Sequence, residues 1–400
     1  MKRITELERK YVMEVLESEF RTSKMTNMTT RFESAFAERF GVEFAVSHAN
    51  GTATMHSALA AAGVGPGDEV IVPPLTMAST TLVVLYQCAT PVFVDIEPET
   101  WTLDPQKVEA AISPKTKAII PVSVYGLAPD YDPLLTIAKK HKLAVIEDNA
   151  ECYLGYYKER LVGTIGDMAS FSLQGSKHVT AGEGGVVLTN DEGFADRMRA
   201  FSIVGYDLVK AKSGKITKDI LQSPDFVRHT SLGFKYKMPD LCAAVGLAQI
   251  ERVDELVEVR QNCAKEFERI IVDCPWLTPQ KVPLGSVNSY YTYAMRLHTD
   301  EISFSWHDFR RKFIELGGDG FYAAWLLTYN EPMWESGDFR IRQVVHNYGG
   351  IEPFRRKFKA NCPVAEATQP QIIQLKSNYI DQARLATQTE LLRRTIEFFL

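Results

Sequence analysis

Four short stretches carry residue types that can do chemistry together. Asn50-Gly51-Thr52-Ala53-Thr54 lies where an apolar run gives way to an alanine-rich helical segment. Free N–H groups and the positive end of a helix dipole make such a turn a phosphate site, and Thr52 adds a hydroxyl. Taken alone, the same turn is an ordinary helix cap. Asp148 ends the apolar run Leu143–Asp148. A carboxylate at the C-terminal edge of a parallel strand stands where open α/β sheets bind ligands, although by itself it also reads as a cap. Phe171-Ser172-Leu173-Gln174-Gly175-Ser176-Lys177 runs into the glycine-rich Thr180–Gly185. A lysine in that position can present its amine into a cleft, whereas a single lysine is ordinarily a solvated surface residue. Gly233-Phe234-Lys235-Tyr236-Lys237-Met238 is the fourth stretch, and alone it is a basic loop.

Together the four fit one cofactor. An aspartate 29 residues before a lysine, with a phosphate-binding turn upstream, meets the needs of pyridoxal 5'-phosphate. The lysine forms the Schiff base, the aspartate pairs with the protonated pyridine nitrogen, and the helix N-terminus holds the phosphate.

The elements that must position these residues follow from the hydrophobic pattern. Runs 44–48, 69–73, 90–96, 116–124 and 142–148 are short, rich in β-branched residues and separated by helix-length segments. That pattern suits strands buried on both faces of a mostly parallel sheet, with right-handed crossovers placing helices on both sides. Two more strands are expected around 168–189. Residues 204–230 are polar and lysine-rich and read as a long excursion. Residues 239–271 carry apolar residues at helical spacing, as one long helix or two. From about Pro275 the pattern changes to short strands, such as 289–297, and amphipathic helices. The expected fold class is therefore α/β, with a large domain over 1–250 and a smaller C-terminal α+β domain over 251–400.

Composition excludes several other classes. A chain of 400 residues with 45% hydrophobic and 24% charged residues buries a sizeable core. The net charge of −5 argues against a nucleic-acid-binding stripe as its main business. No apolar run approaches the roughly 18 residues of a membrane span. The first 20 residues carry charges in every turn and lack the apolar centre of a signal peptide. Six widely spaced cysteines form no CxxC pair. They read as reduced thiols of a cytoplasmic protein, with no metal site among them.

Several long stretches, in order, resemble one family. SHANGTATMHSALAAAGVGPGDEVIVPP, ATPVFVDIEPETWTLDP, AVIEDNAE, GTIGDMASFSLQGSK, TAGEGG and LGFKYKMPDLCAAVGLAQI are similar to the sugar aminotransferases of the DegT/DnrJ group, fold-type I enzymes dependent on pyridoxal phosphate. The resemblance implies that Lys177 carries the cofactor and that Asp148 faces its ring nitrogen. It implies that Thr52, Ala53 and Ser172 hold the phosphate, and that Glu151 and Gln174 sit near the ring or substrate. It further implies a homodimer with shared sites, in which Lys235 reaches the neighbour's phosphate.

Two positions depart from the family pattern. Met77 stands where an aromatic often stacks on the ring; a thioether can cover that face. Lys235 stands where asparagine is common, and a cation opposite a phosphate is physically reasonable.

The implied reaction is ping-pong transfer of an amino group from L-glutamate to a keto sugar, most often nucleotide-linked. Alternatives within the group are amination of a free keto-inositol and a sugar dehydratase, which has histidine in place of the lysine. Because His178 follows Lys177, the register between them decides the dehydratase question. A regulatory protein on the same fold, free of the cofactor, is the non-enzymatic alternative; the presence of both Lys177 and Asp148 disfavours it.

Overall fold

The computed structural model describes residues 2–20, 27–206 and 222–400. Its centre is a seven-stranded sheet. The strands are β1 (Phe44–His48), β2 (Glu69–Val72), β3 (Thr90–Phe93), β4 (Thr116–Ile119), β5 (Ala144–Asp148), then, after two short strands, β8 (Met168–Ser172) and β9 (Gly185–Thr189). Their order across the sheet is β1-β9-β8-β5-β4-β2-β3. The pairs β2/β3, β2/β4, β4/β5 and β5/β8 are parallel, whereas β9 runs antiparallel to both β8 and β1. Strands β1, β8 and β9 are buried at every position, as their continuous apolar runs require.

The register brings the expected site residues to one edge. Asp148 pairs with Ser170 at the C-terminal end of β5, and Ser172 pairs with Gly185, where β9 begins. The helix Gly51–Ala61 follows directly on β1 at the same edge, with Asn50 as its cap. Gly185 allows the close approach: a Cβ there would lie 2.7 Å from the Asn50 carbonyl oxygen and from the Thr54 side chain.

The 116–124 run is shorter as a strand than its composition suggests. Pro121 has no N–H to give a ladder, and the chain turns through Val124–Gly126 with Tyr125 at φ +59°. The 239–271 segment is two helices, Asp240–Ile250 and Val253–Ile271. At the break the Arg252 guanidinium bonds to Glu8, and Gln249 donates to the Arg3 carbonyl, so the N-terminal helix Glu6–Glu17 is tied in here.

Two small sheets complete the strands of the described residues. The short strands β6 (Tyr156–Tyr157) and β7 (Arg160–Leu161) pair with each other, and β11 (Ser286–Val287) joins β6. An antiparallel sheet of order β10-β12-β14-β13 uses Leu277–Pro279, Thr292–Leu297, Ile372–Lys376 and Tyr322–Ala323 for β10, β12, β14 and β13. Its core joins Phe267, Met295, Phe309, Leu375 and Leu392. Tyr329, Trp334, Phe354 and Phe358, all C-terminal to residue 250, pack instead around Phe93 of the large sheet. No helix among the described residues is long and apolar enough to cross a membrane.

Of the 204–230 excursion, residues 207–221 lie outside the described residues. Its two ends meet, with the Thr230 N–H donating to the Gly205 carbonyl at 3.0 Å.

Candidate active site

A cavity of about 380 Å³ opens at the C-terminal edge of the parallel strands, where the topology places ligand sites in α/β sheets. Thr52, Met77, Asp148, Glu151, Ser172, Gln174 and Lys177 all line it. Residues separated by up to 125 positions thus converge because β1, β5 and β8 end at one edge.

The Lys177 amine faces Glu151, with Nζ 3.3 Å from Oε1, and both side chains are largely withdrawn from water. The other oxygen of Glu151 accepts from the Tyr125 N–H at 3.0 Å. Burial raises the Glu151 pKa, Lys177 and the Tyr125 amide oppose that rise, and nearby Asp148 adds to it. Asp148 accepts from the Thr80 hydroxyl at 2.8 Å and from the Ala150 N–H at 3.2 Å. Burial raises its pKa as well, with these two bonds and the Lys177 charge pulling it back.

The loop bearing the lysine is held from behind by two cations. Arg3 donates to the Lys177 carbonyl at 2.8 Å, and Arg260 to the Ser176 carbonyl at 2.7 Å. Arg260 is buried, which pushes its pKa down to about 10, with the charge of Arg3 acting in the same direction. His178 points elsewhere. It is buried, a ring nitrogen is bonded to the Ser289 carbonyl at 2.9 Å, and burial takes its pKa well below the ordinary histidine value. The register is therefore plain: the amine, and not the imidazole, faces the cavity.

At the other side, the start of the helix Gly51–Ala61 presses against Ser172. An added Cβ on Gly51 would stand 2.8 Å from the Ser172 Cβ. Ala53 is buried just inside the helix, and its N–H is taken by the Asn50 side chain at 2.8 Å. Met77 is half-exposed at the cavity rim. Gln174 is exposed and accepts from the Ser176 amide and hydroxyl. Lys235 is exposed, bridges Ile203 and is not among the residues lining this cavity.

Among the lining residues that the sequence did not single out as site residues are Ser176, Glu183 and Tyr291. Glu183 lies within the TAGEGG motif and Ser176 beside the lysine, so position alone flagged them. Tyr291 comes from a remote strand segment, and Thr80, which bonds Asp148, sits in an otherwise unremarked helix start; neither has a spacing signal. Trp325 also lines the cavity, its ring stacked on Tyr125 with centroids 6.2 Å apart. Tyr329 is buried and bonds Glu366, and His56 bonds the Tyr236 hydroxyl.

Comparison with known proteins agrees with this arrangement. The model of the DegT/DnrJ/EryC1/StrS aminotransferase family matches residues 2–340. GDP-perosamine synthase of Caulobacter vibrioides is 40% identical over 291 residues, 72% of this chain and 74% of that protein. GDP-perosamine synthase of Escherichia coli O157:H7 is 38% identical, over 67% of this chain and 69% of that one. Among solved structures, an aminotransferase from Psychrobacter cryohalolentis superimposes with a TM-score of 0.85 at 25% identity, over 99% of this chain and 98% of that chain.

Proposed function

The chain belongs to the DegT/DnrJ/EryC1/StrS aminotransferase family, and from that premise we propose that it moves an amino group from L-glutamate to a ketone of a nucleotide-linked sugar. It is a transaminase of fold type I, and the cofactor of such enzymes is pyridoxal 5'-phosphate. The convergence of the Lys177 amine and the Asp148 carboxylate on one cavity, beside a helix start, carries this reading.

The residues present fit the cofactor. Gly51, which has no room for a Cβ, lets the helix start close on Ser172, so backbone N–H groups, Thr52 and Ser172 form a cradle for a phosphate. Asp148 offers a buried carboxylate to a ring nitrogen, and Lys177 a cavity-facing amine to an aldehyde. Met77, at the rim, would cover a ring face. Bound there, pyridoxal phosphate supplies an aldehyde that carries the amino group and a ring that withdraws electrons from the substrate α-carbon.

The chain's own groups do the rest. Lys177 takes a proton from the donor α-carbon and returns one on the other side of the transfer. Glu151, 3.3 Å from that amine, holds it in place and balances its charge. Asp148 keeps a proton on the atom it faces, and Thr80 and the Ala150 amide favour its ionised form. Because Lys177 and not His178 faces the cavity, amino transfer is favoured over sugar dehydration. In the same reading the chain acts in the cytoplasm as a homodimer, with Lys235 of each copy reaching the other's phosphate site. The same reading divides the chain into a large domain over 1–250 and a smaller one over 251–400, a division that the end of the helix Asp240–Ile250 supports.

The test is transfer from ¹⁵N-glutamate to a panel of nucleotide-linked keto sugars, GDP-linked ones first, with free keto-inositols alongside. Label in an amino sugar nucleotide is the expected result. Label only in an inositol would replace the acceptor, and label only from glutamine would replace the donor.

A further inference from the structure

The Lys177 amine has a second neighbour besides Glu151. Its Nζ lies 4.1 Å from the centroid of the Tyr291 ring. A cation over an aromatic face at that distance is attracted by the ring quadrupole, and more strongly where water is excluded. The Tyr291 hydroxyl is 2.8 Å from Ser176 Oγ, 115 residues away in sequence and adjacent to Lys177. Arg260 fixes the same loop, bonding both the Tyr291 and the Ser176 carbonyls.

The two groups that touch the amine hang from the backbone of one residue, Tyr125. The Tyr125 N–H donates to Glu151 Oε2 at 3.0 Å, and the Tyr125 carbonyl accepts from the Tyr291 N–H at 3.0 Å. Tyr125 adopts φ +59°, a left-handed conformation that a bulky residue rarely takes. Its ring is buried between Trp101 and the cavity-lining Trp325. This turn therefore aims a carboxylate and an aromatic face at a single nitrogen.

We infer that Tyr291 is a positioning residue of this active site, its ring face forming the resting place of the Lys177 ammonium whenever that amine is not covalently engaged. The inference rests on the reading of Lys177 as the reacting amine. A freed lysine side chain has four rotatable bonds, and holding its nitrogen in one place keeps it within reach of the carbon it must serve. The charged and titratable groups around the same nitrogen are Glu151, Asp148 and Glu183 on the cavity side, with Arg3, Arg260 and His178 behind the loop.

The experiment is reductive ¹³C-methylation of the full-length chain freed of cofactor, with Lys177→Arg identifying the residue-177 signal. Lying over a ring face, its methyl protons should resonate upfield of the other lysine methyls; a signal inside the bulk envelope overturns the inference. Tyr291→Phe keeps the face and should keep the upfield position. Tyr291→Leu should return the signal to the bulk and reduce kcat roughly tenfold below that of the phenylalanine variant. Equal behaviour of the two variants would refute a role for the ring. If the leucine variant does not fold, the signal in the wild type and the phenylalanine variant still decides. Turnover by Lys177→Ala would sink the reading of the reacting amine, whereas the methyl position tests the Tyr291 contact separately.

Discussion

The Thr80 hydroxyl donates to Asp148 Oδ2 across 2.8 Å, between two side chains that are both buried. Burial alone drives the Asp148 carboxyl toward its neutral form, and this bond is the largest of the opposing influences. In the proposed site, a carboxylate that must stay ionised opposite a protonated ring nitrogen thus depends on a residue 68 positions away.

Thr80→Val, close in shape, removes that donor. A hydrogen bond to a charged group contributes about 1.5–3 kcal/mol, so the single-turnover rate with glutamate should fall at least roughly tenfold. The acid limb of the rate profile should also move to higher pH, because the Asp148 pKa rises further. Thr80→Ser should restore both. An acid limb that stays in place in the valine variant rules the bond out as the support of the charge.

Asp148→Asn should trade activity for stability. With its folded pKa raised, Asp148 favours folding below its unfolded pKa and loses that contribution as pH rises through the folded value. Asparagine has no charge to bury. The cofactor-free variant should therefore melt higher than the cofactor-free parent at neutral pH, and the gap should close as pH falls through the carboxylate range. Turnover should drop by orders of magnitude, since a neutral amide cannot stabilise a pyridinium. A variant that melts lower at pH 7 would show that its hydrogen bonds outweigh the buried charge.

Lys177→Ala should abolish turnover and visible colour. It should also leave Glu151 buried without its cation, and breaking a buried pair costs about 3 kcal/mol where the survivor stays charged. The loss should be largest at neutral pH and shrink in acid, where Glu151 protonates. Adding Glu151→Gln should recover most of it. Measured as a double-mutant cycle of thermal unfolding, a coupling near zero would mean the two charges do not depend on one another.

The contrast between these residues shows what was legible beforehand. Asp148 and Lys177 were readable as cavity residues because Asp148 closes an apolar strand and Lys177 follows five residues after the end of another, and strand ends in a parallel sheet meet at one edge. The glycine-rich run after Lys177 announced a tight return, which the structure uses to start β9. Thr80, Tyr291 and Arg260 were not readable, because they reach the site through tertiary packing across 68 to 115 residues and have no local periodicity. The end of β4 was likewise hidden, and the choice between one helix and two over 239–271 stayed open: a proline and the tie to Glu8 decided them, not hydrophobic pattern.

Lys235 does not line the cavity of its own chain and is exposed on the segment bridging Ile203. If a second copy brings it to the phosphate cradle, Lys235→Ala should weaken cofactor retention by roughly tenfold, the loss of one charge-assisted contact. Mixing that variant with Lys177→Ala subunits should then regain activity, since one of the two shared sites would be intact. Mixed samples no more active than either parent would place Lys235 outside the shared site.

Gly51 sets the distance between the helix start and β8, and its substitution has an unusual sign. An alanine normally strengthens a helix relative to glycine by about 0.5–1 kcal/mol. Here the new Cβ would meet the Ser172 Cβ at 2.8 Å, with the Ser172 Cα only 3.3 Å away. Neither can swing aside, because Ser172 is fixed by its pairing with Gly185. Gly51→Ala should therefore destabilise by about 1–3 kcal/mol, the usual cost of overpacking, and should push Thr52 away from Ser172, loosening the phosphate cradle. Second-site changes separate the two effects. Ser172→Gly removes the opposing Cβ, so the double variant should regain much of its melting temperature while still losing cofactor on dialysis, because the hydroxyl is gone. Ser172→Ala retains the Cβ and should rescue neither. Recovery of stability with alanine as well as glycine at 172 would mean that the hydroxyl, and not the carbon, sets how closely the helix can approach.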